Sequence, residues 1–75
     1  MDYTIEMEMI IEDRCFELVK ATNDPSDGKP WWVQRRIGYY NCREVTDYCE
    51  TAGEALEQMY QYIKEVKNGM YYDFF

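Results

Sequence analysis

Histidine is absent from the 75 residues, and its absence removes several chemistries together. Serine-histidine and cysteine-histidine nucleophile pairs, Cys/His zinc sites and the usual acid-base group of neutral pH all require it. Cysteine is sparse as well. Cys15, Cys42 and Cys49 make an odd count with no CxxC pair, which suits reduced thiols in a reducing compartment better than a disulfide framework. A zinc ion held by these thiols would need a carboxylate or a second chain, and their spacing does not suggest one; no metal or cofactor is expected. No long apolar run exists either. Met9-Ile10-Ile11 is the longest aliphatic stretch, against the roughly 20 residues that span a bilayer. The start, Met1-Asp2, is acidic where a secretory leader would be basic. A cytoplasmic protein with no membrane segment is the expectation. Phosphate loops and dinucleotide fingerprints are missing, and carboxylate pairs such as Glu12/Asp13 and Glu54/Glu57 fall in a turn or on an outer helix face, where nothing drives their pKa values apart. The chain does not read as an enzyme.

Basic residues are scarce too: 8 against 15 acidic ones, a net charge of −7. That balance argues against ordinary nucleic-acid binding, which needs a basic face to neutralise phosphates. It favours a basic partner or simple solubility. A hydrophobic content of 47%, with 17% aromatic, is nevertheless too high for disorder. The length fits one small domain, residues 1–75, with a thin margin of stability.

The clearest local signal is a helix over 51–68. Thr51 and Glu54 form a capping box, and Ala52, Ala55, Leu56, Met59, Ile63, Val66 and Met70 recur at three- and four-residue intervals on one face, which Tyr60 and Tyr62 widen. Glu54 and Glu57 sit near the positive end of its dipole, Lys64 and Lys67 near the negative end, and Asn68-Gly69 offers a left-handed stop.

Upstream the period changes to two. Tyr3, Ile5, Met7, Met9 and Ile11 alternate with Thr4, Glu6 and Glu8, as in a half-buried strand; a helix through Met7, Ile11, Cys15 and Leu18 is the less favoured alternative. Glu12-Asp13 reads as a tight turn without the usual Asn-Gly or Asp-Gly signature, leading into a second strand, 15–21, with Phe16 and Leu18 toward the core. Residues 23–30 hold both prolines and Gly28 and read as a surface loop. Trp31 to Tyr40 predicts a third strand whose aromatics supply much of the core, and 41–49 a short fourth. The aromatic end, Met70 to Phe75, is expected to fold back over the helix end or a sheet edge. The fold class implied is α+β, a three- or four-stranded antiparallel sheet with one C-terminal helix packed on one face. Its expected core is Ile5, Met7, Met9, Phe16, Leu18, Val33, Leu56, Met59, Ile63 and Val66.

Charge is segregated along the chain. Asp2, Glu6, Glu8, Glu12, Asp13, Glu17, Asp24 and Asp27 precede a basic stretch holding Lys29, Arg35, Arg36 and Arg43, after which acids dominate again. Glu6 and Glu8, on one strand face, would be about 6.8 Å apart by strand rise, close to the advance of two phosphates along a nucleic-acid strand. Extended by Glu12, Asp13, Glu17, Asp24 and Asp27, they form the candidate partner-binding surface, all expected to be exposed. A solvated outer face explains the same residues without a partner. Reversal of Lys64 and Lys67 is expected to have little effect on such binding. The segment WWVQRRIGYY interleaves aromatics with arginines as base-stacking sheets do, giving a less favoured reading of direct nucleic-acid binding through Trp31 to Arg43.

In its size, its charge, its sheet closed by the helix TAGEALEQMYQYIKEVKNG and its lack of catalytic groups, the chain resembles the small acidic phage and mobile-element proteins of the anti-CRISPR inhibitor type. The resemblance implies an inhibitor that covers the nucleic-acid-binding surface of a basic protein such as a CRISPR nuclease. Those inhibitors share no common sequence, so it assigns no residue. A protein-protein interaction module, or a small homo-oligomer such as a homodimer assembled through aromatic surface, is the alternative.

Overall fold

The structure, a computed structural model, describes residues 2–23, 28–67 and 69. Strands β1 (Tyr3–Ile11), β2 (Arg14–Ala21), β3 (Trp31–Arg36) and β4 (Cys42–Glu44) precede one helix, α1 (Ala52–Lys67). The strands form a four-stranded antiparallel meander in the order β1-β2-β3-β4, and the helix lies across β3 and β2. This is the α+β architecture that the sequence predicts. No helix among the described residues is long and apolar enough to cross a membrane.

The helix starts as its sequence demands: the Glu54 amide donates to the Thr51 hydroxyl at 3.2 Å, although the Glu54 carboxylate meets that hydroxyl rather than the backbone. It stops at Gly69, whose φ of 77° suits glycine alone without cost. Ala55 and Met59 are its fully buried contacts, closing over Phe16, Leu18, Val33 and Cys49, with Leu56, Tyr62 and Ile63 half-buried at the margin. Tyr60 does not widen the buried face; it is exposed.

Strand β1 departs from the expected alternation. Ile5 pairs with Val19 but Met7 pairs with Leu18, so Glu6 is an extra residue, a β-bulge. Residues facing one another across a ladder share a side of the sheet, and the bulge therefore switches sides midway. Tyr3 and Ile5 join Val19, Ala21 and Trp32 on the open side, where those last three form a second buried cluster. Met7, Met9 and Ile11 fall on the helix side. Ile5 and Met7, expected in the core, are both exposed, Ile5 because the bulge turns it to the open side and Met7 because a helix lying over β3 and β2 leaves this outer strand largely uncovered.

The turn at Glu12-Asp13 connects Ile11 directly to Arg14, with φ of 52° and 66° at its two residues. Both positions are left-handed, as a two-residue hairpin turn of type I′ demands, and neither carries glycine or asparagine. Strand β3 ends earlier than predicted. The amides of Ile37 and Gly38 both donate to the Asn41 carbonyl, so Tyr39 and Tyr40 sit in the connecting turn, 86% and 89% exposed, rather than in the core. The fourth strand is shorter than 41–49; beyond it, Cys49 makes an isolated bridge to Trp31. Met70 to Phe75, and with them the expected return of the aromatic end, lie outside the described residues.

Candidate protein-binding surface

Strand β1 is an outer edge of the sheet, and its charged residues are all acidic. Asp2, Glu6, Glu8, Glu12 and Asp13 are exposed along it and its turn. The bulge separates two of them. Glu6 contacts the Thr4 hydroxyl; Thr4 pairs with Lys20, whose ammonium lies over the Trp31 ring on the helix side. Glu8 pairs with Glu17 on the opposite, open side. The one-face spacing expected of Glu6 and Glu8 is therefore not formed, and their carboxylates flank the strand edge from its two sides.

Glu17 is the larger correction. Expected at the surface, it is 3% exposed. A carboxylate so buried needs partners, and β3 supplies them: Arg36 Nη2 and Gln34 Nε2 each donate to Glu17 Oε1 at 2.8 Å. This bond raises the Arg36 pKa above the ordinary arginine value, with burial opposing it. Glu17 is thus committed to the sheet and unavailable to a partner. Asp24 and Asp27 lie outside the described residues. Of the candidate site residues, the fold assembles Glu6, Glu8, Glu12 and Asp13 along one edge.

Lys67 reaches the same edge from the helix end, its Nζ 2.9 Å from Glu12 Oε1 with both side chains about half exposed. A surface pair of this kind contributes about 0–1 kcal/mol, and it sets Lys67 beside the acidic surface.

A second acidic surface escaped the linear reading. Glu44, Asp47 and Glu65 line a groove of about 380 Å³ together with Gln58, Gln61 and Tyr62, and no lysine or arginine lines it. Its wall is fixed by Gln58, whose Oε1 accepts from the Asp47 amide at 2.8 Å, and by Thr46, whose hydroxyl accepts from the Val33 amide at 2.9 Å. The residues come from β4, the following loop and successive turns of α1, and only the fold brings them together.

Packing takes up the β3 part of the basic-aromatic segment, while Tyr39, Tyr40 and Arg43 beyond it are exposed. Trp32 and Arg35 are buried, Trp31 is half-buried, and Arg36 is tied to Glu17. Burial lowers the Arg35 pKa from the usual arginine value, with the neighbouring Tyr62 opposing the change. Stacking bases needs exposed aromatic faces beside free guanidinium groups, and β3 does not present them.

Burial raises the Cys15 thiol, with Glu17 and Glu8 adding to the effect, and also raises Cys49, helped by Glu54 and Asp47. Both are poor nucleophiles in this state. Among the described residues no group of His, Cys, Asp and Glu is arranged to hold a metal ion. No protein-family model matches the chain, and neither a curated protein nor a solved structure matches it.

Proposed function

We propose that this protein is a small acidic binding protein that occupies the nucleic-acid-binding surface of a basic protein and so excludes its substrate, acting in the cytoplasm of a host cell. A CRISPR nuclease is the first partner to examine. The observation that carries the reading is the acidic edge: Asp2, Glu6, Glu8, Glu12 and Asp13 are exposed along β1 and its turn, where Lys67 reaches Glu12 from the helix and Arg14 donates to the Glu12 carbonyl. Carboxylates held on a sheet and a two-residue turn are preorganised, so they steer and orient a cationic partner without the entropic cost of ordering a loop.

The test is competition. Fluorescence anisotropy of labelled DNA bound to a purified CRISPR nuclease, and to other basic nucleases, should fall when the protein is added. The triple variant Glu8→Lys, Glu12→Lys, Asp13→Lys should lose this effect while its circular dichroism stays unchanged. Displacement that survives the triple reversal, or no displacement from any basic nuclease, would overturn the reading.

The exposed pair Tyr39 and Tyr40, with ring centroids 4.8 Å apart, favours a second reading as a protein-protein interaction module, since exposed tyrosines anchor many interfaces. Under it, Tyr39→Ala with Tyr40→Ala abolishes partner binding and the acidic reversal does not.

A further inference from the structure

The outer side of β1 pairs with no strand among the described residues, and such an edge is a row of amide and carbonyl groups ready for another chain. Edges are usually blunted by shortness, proline, lysine or a cover. Strand β1 has nine residues, no proline and no lysine, and the helix backbone packs on β3 and β2. Among the described residues, what guards it is the bulge at Glu6, which leaves Met7 to Ile11 as an uninterrupted edge, and its carboxylates.

We infer that this edge takes up an extended, lysine- or arginine-bearing segment of the partner as a fifth strand. The inference rests on the acidic reading above and adds how the partner is held. On the open side Glu8 and Ile10 flank the edge, and on the helix side Met7, Met9 and Ile11 do, with Glu12 and Asp13 at its end. Ile10 is 72% exposed and Met7 47%, so an added strand finds apolar surface on both sides.

The charge selects the occupant. An antiparallel second copy centred on Met9 would set Glu6 against Glu12, and each copy carries a net −7; like charges placed opposite one another destabilise a ladder. A segment with basic residues at alternate positions instead meets Glu8 on one side while its apolar residues cover Met7 and Met9 on the other. Recognition then joins backbone hydrogen bonds, which supply affinity, to carboxylates, which supply selectivity.

The test uses the whole protein with a synthetic ten-residue peptide of alternating lysine and valine, and a peptoid bearing the same side chains in the same order. The peptoid keeps the charge and lacks every backbone N–H. The peptide should slow hydrogen exchange of the Met7 to Ile11 amides, and the peptoid should bind at least about tenfold more weakly, the worth of one or two net hydrogen bonds. Equal binding of the two would show that charge alone is read, overturning strand addition and leaving the acidic reading intact. Failure of the peptide to bind, or protection mapping to the 44–65 groove or the Tyr39-Tyr40 turn, would overturn it as well. A peptide-free protein that doubles its mass in sedimentation while protecting β1 would assign the edge to a second copy instead. Loss of the acidic reading itself is reported separately, by the triple reversal in the DNA competition.

Discussion

The Glu17 carboxylate accepts from the Arg36 guanidinium at 2.8 Å across the open side of the sheet, and this bond separates a structural acid from the exposed candidate acids beside it. Glu8 stands opposite Glu17 in the ladder and is free in solvent. Replacing Glu17 by alanine leaves Arg36 and Gln34 without their acceptor on a side of the sheet where Gln34 is itself buried. The expected cost is about 1–3 kcal/mol. Glu8→Ala should stay within about 0.5 kcal/mol of the parent. Urea unfolding of the two variants measures the difference, and equal midpoints would mean that the Glu17 bond contributes nothing.

The Glu12-Asp13 turn holds both residues in the left-handed region, which glycine enters freely and asparagine and aspartate tolerate, so Glu12 carries the larger strain. Glu12→Asn with Asp13→Gly should therefore stabilise the hairpin by about 1–2 kcal/mol, diminished by loss of the exposed Lys67 pair. Under the proposed function the same variant binds its partner more weakly, because two carboxylates of the edge are gone. A higher melting temperature with weaker displacement of DNA is the expected combination.

Met59 is fully buried against both sheet and helix neighbours, whereas Ile5 is 42% exposed. Met59→Ala should cost about 2–5 kcal/mol, enough to unfold a domain of this size. Ile5→Ala should cost far less. Thermal unfolding followed by circular dichroism would show comparable losses only if β1 were packed in the way its bare alternation suggests.

Alkaline pH should weaken the fold through identifiable groups. Tyr48 donates to the Glu44 carboxylate at 2.9 Å, which raises its pKa above the ordinary 10.0, with burial contributing next. Burial likewise raises the Cys15 and Cys49 thiols above 9.0. Each group binds its proton more tightly folded than unfolded, so its contribution is complete below the unfolded value and is lost as pH climbs through the raised one. Stability should decline from about pH 9 upward, and Tyr48→Phe should flatten the part of that decline above the ordinary tyrosine value.

The thiols should also differ in rate. Cys42 is exposed, Cys15 is half-buried and Cys49 is buried. At pH 8 a thiol reagent should label Cys42 rapidly, and the other two only as the domain opens. Three equal rates in the native protein would contradict the packing around Cys49.

The helix was legible because everything that specifies it is local. Thr51 and Glu54 cap it, Ala55 and Met59 lie one turn apart on its buried face, and Gly69 ends it; none of these depends on what the helix packs against. The hairpin of β1 and β2 was legible for the same reason, since alternation and a short turn are properties of neighbouring residues. The candidate acids at Glu6, Glu8, Glu12 and Asp13 could be found by charge and turn chemistry alone.

Tertiary structure alone decided the rest. A period of two tells which residues share a side only while the ladder is unbroken, and the bulge at Glu6 is defined by pairing with Val19 and Leu18, residues of another strand. It sent Ile5 to the open side and split Glu6 from Glu8. Glu17 looked like any other carboxylate until β3 brought Arg36 and Gln34 beside it, and Tyr39 and Tyr40 looked like strand residues until Asn41 closed the turn beneath them. Glu44, Asp47 and Glu65 became one surface only when the segment after β4 was bonded to α1 through Asp47 and Gln58. Local propensity is written within a few residues, whereas burial and partnership of a charge depend on groups far away in the chain, and only the folded sheet brings those within bonding distance.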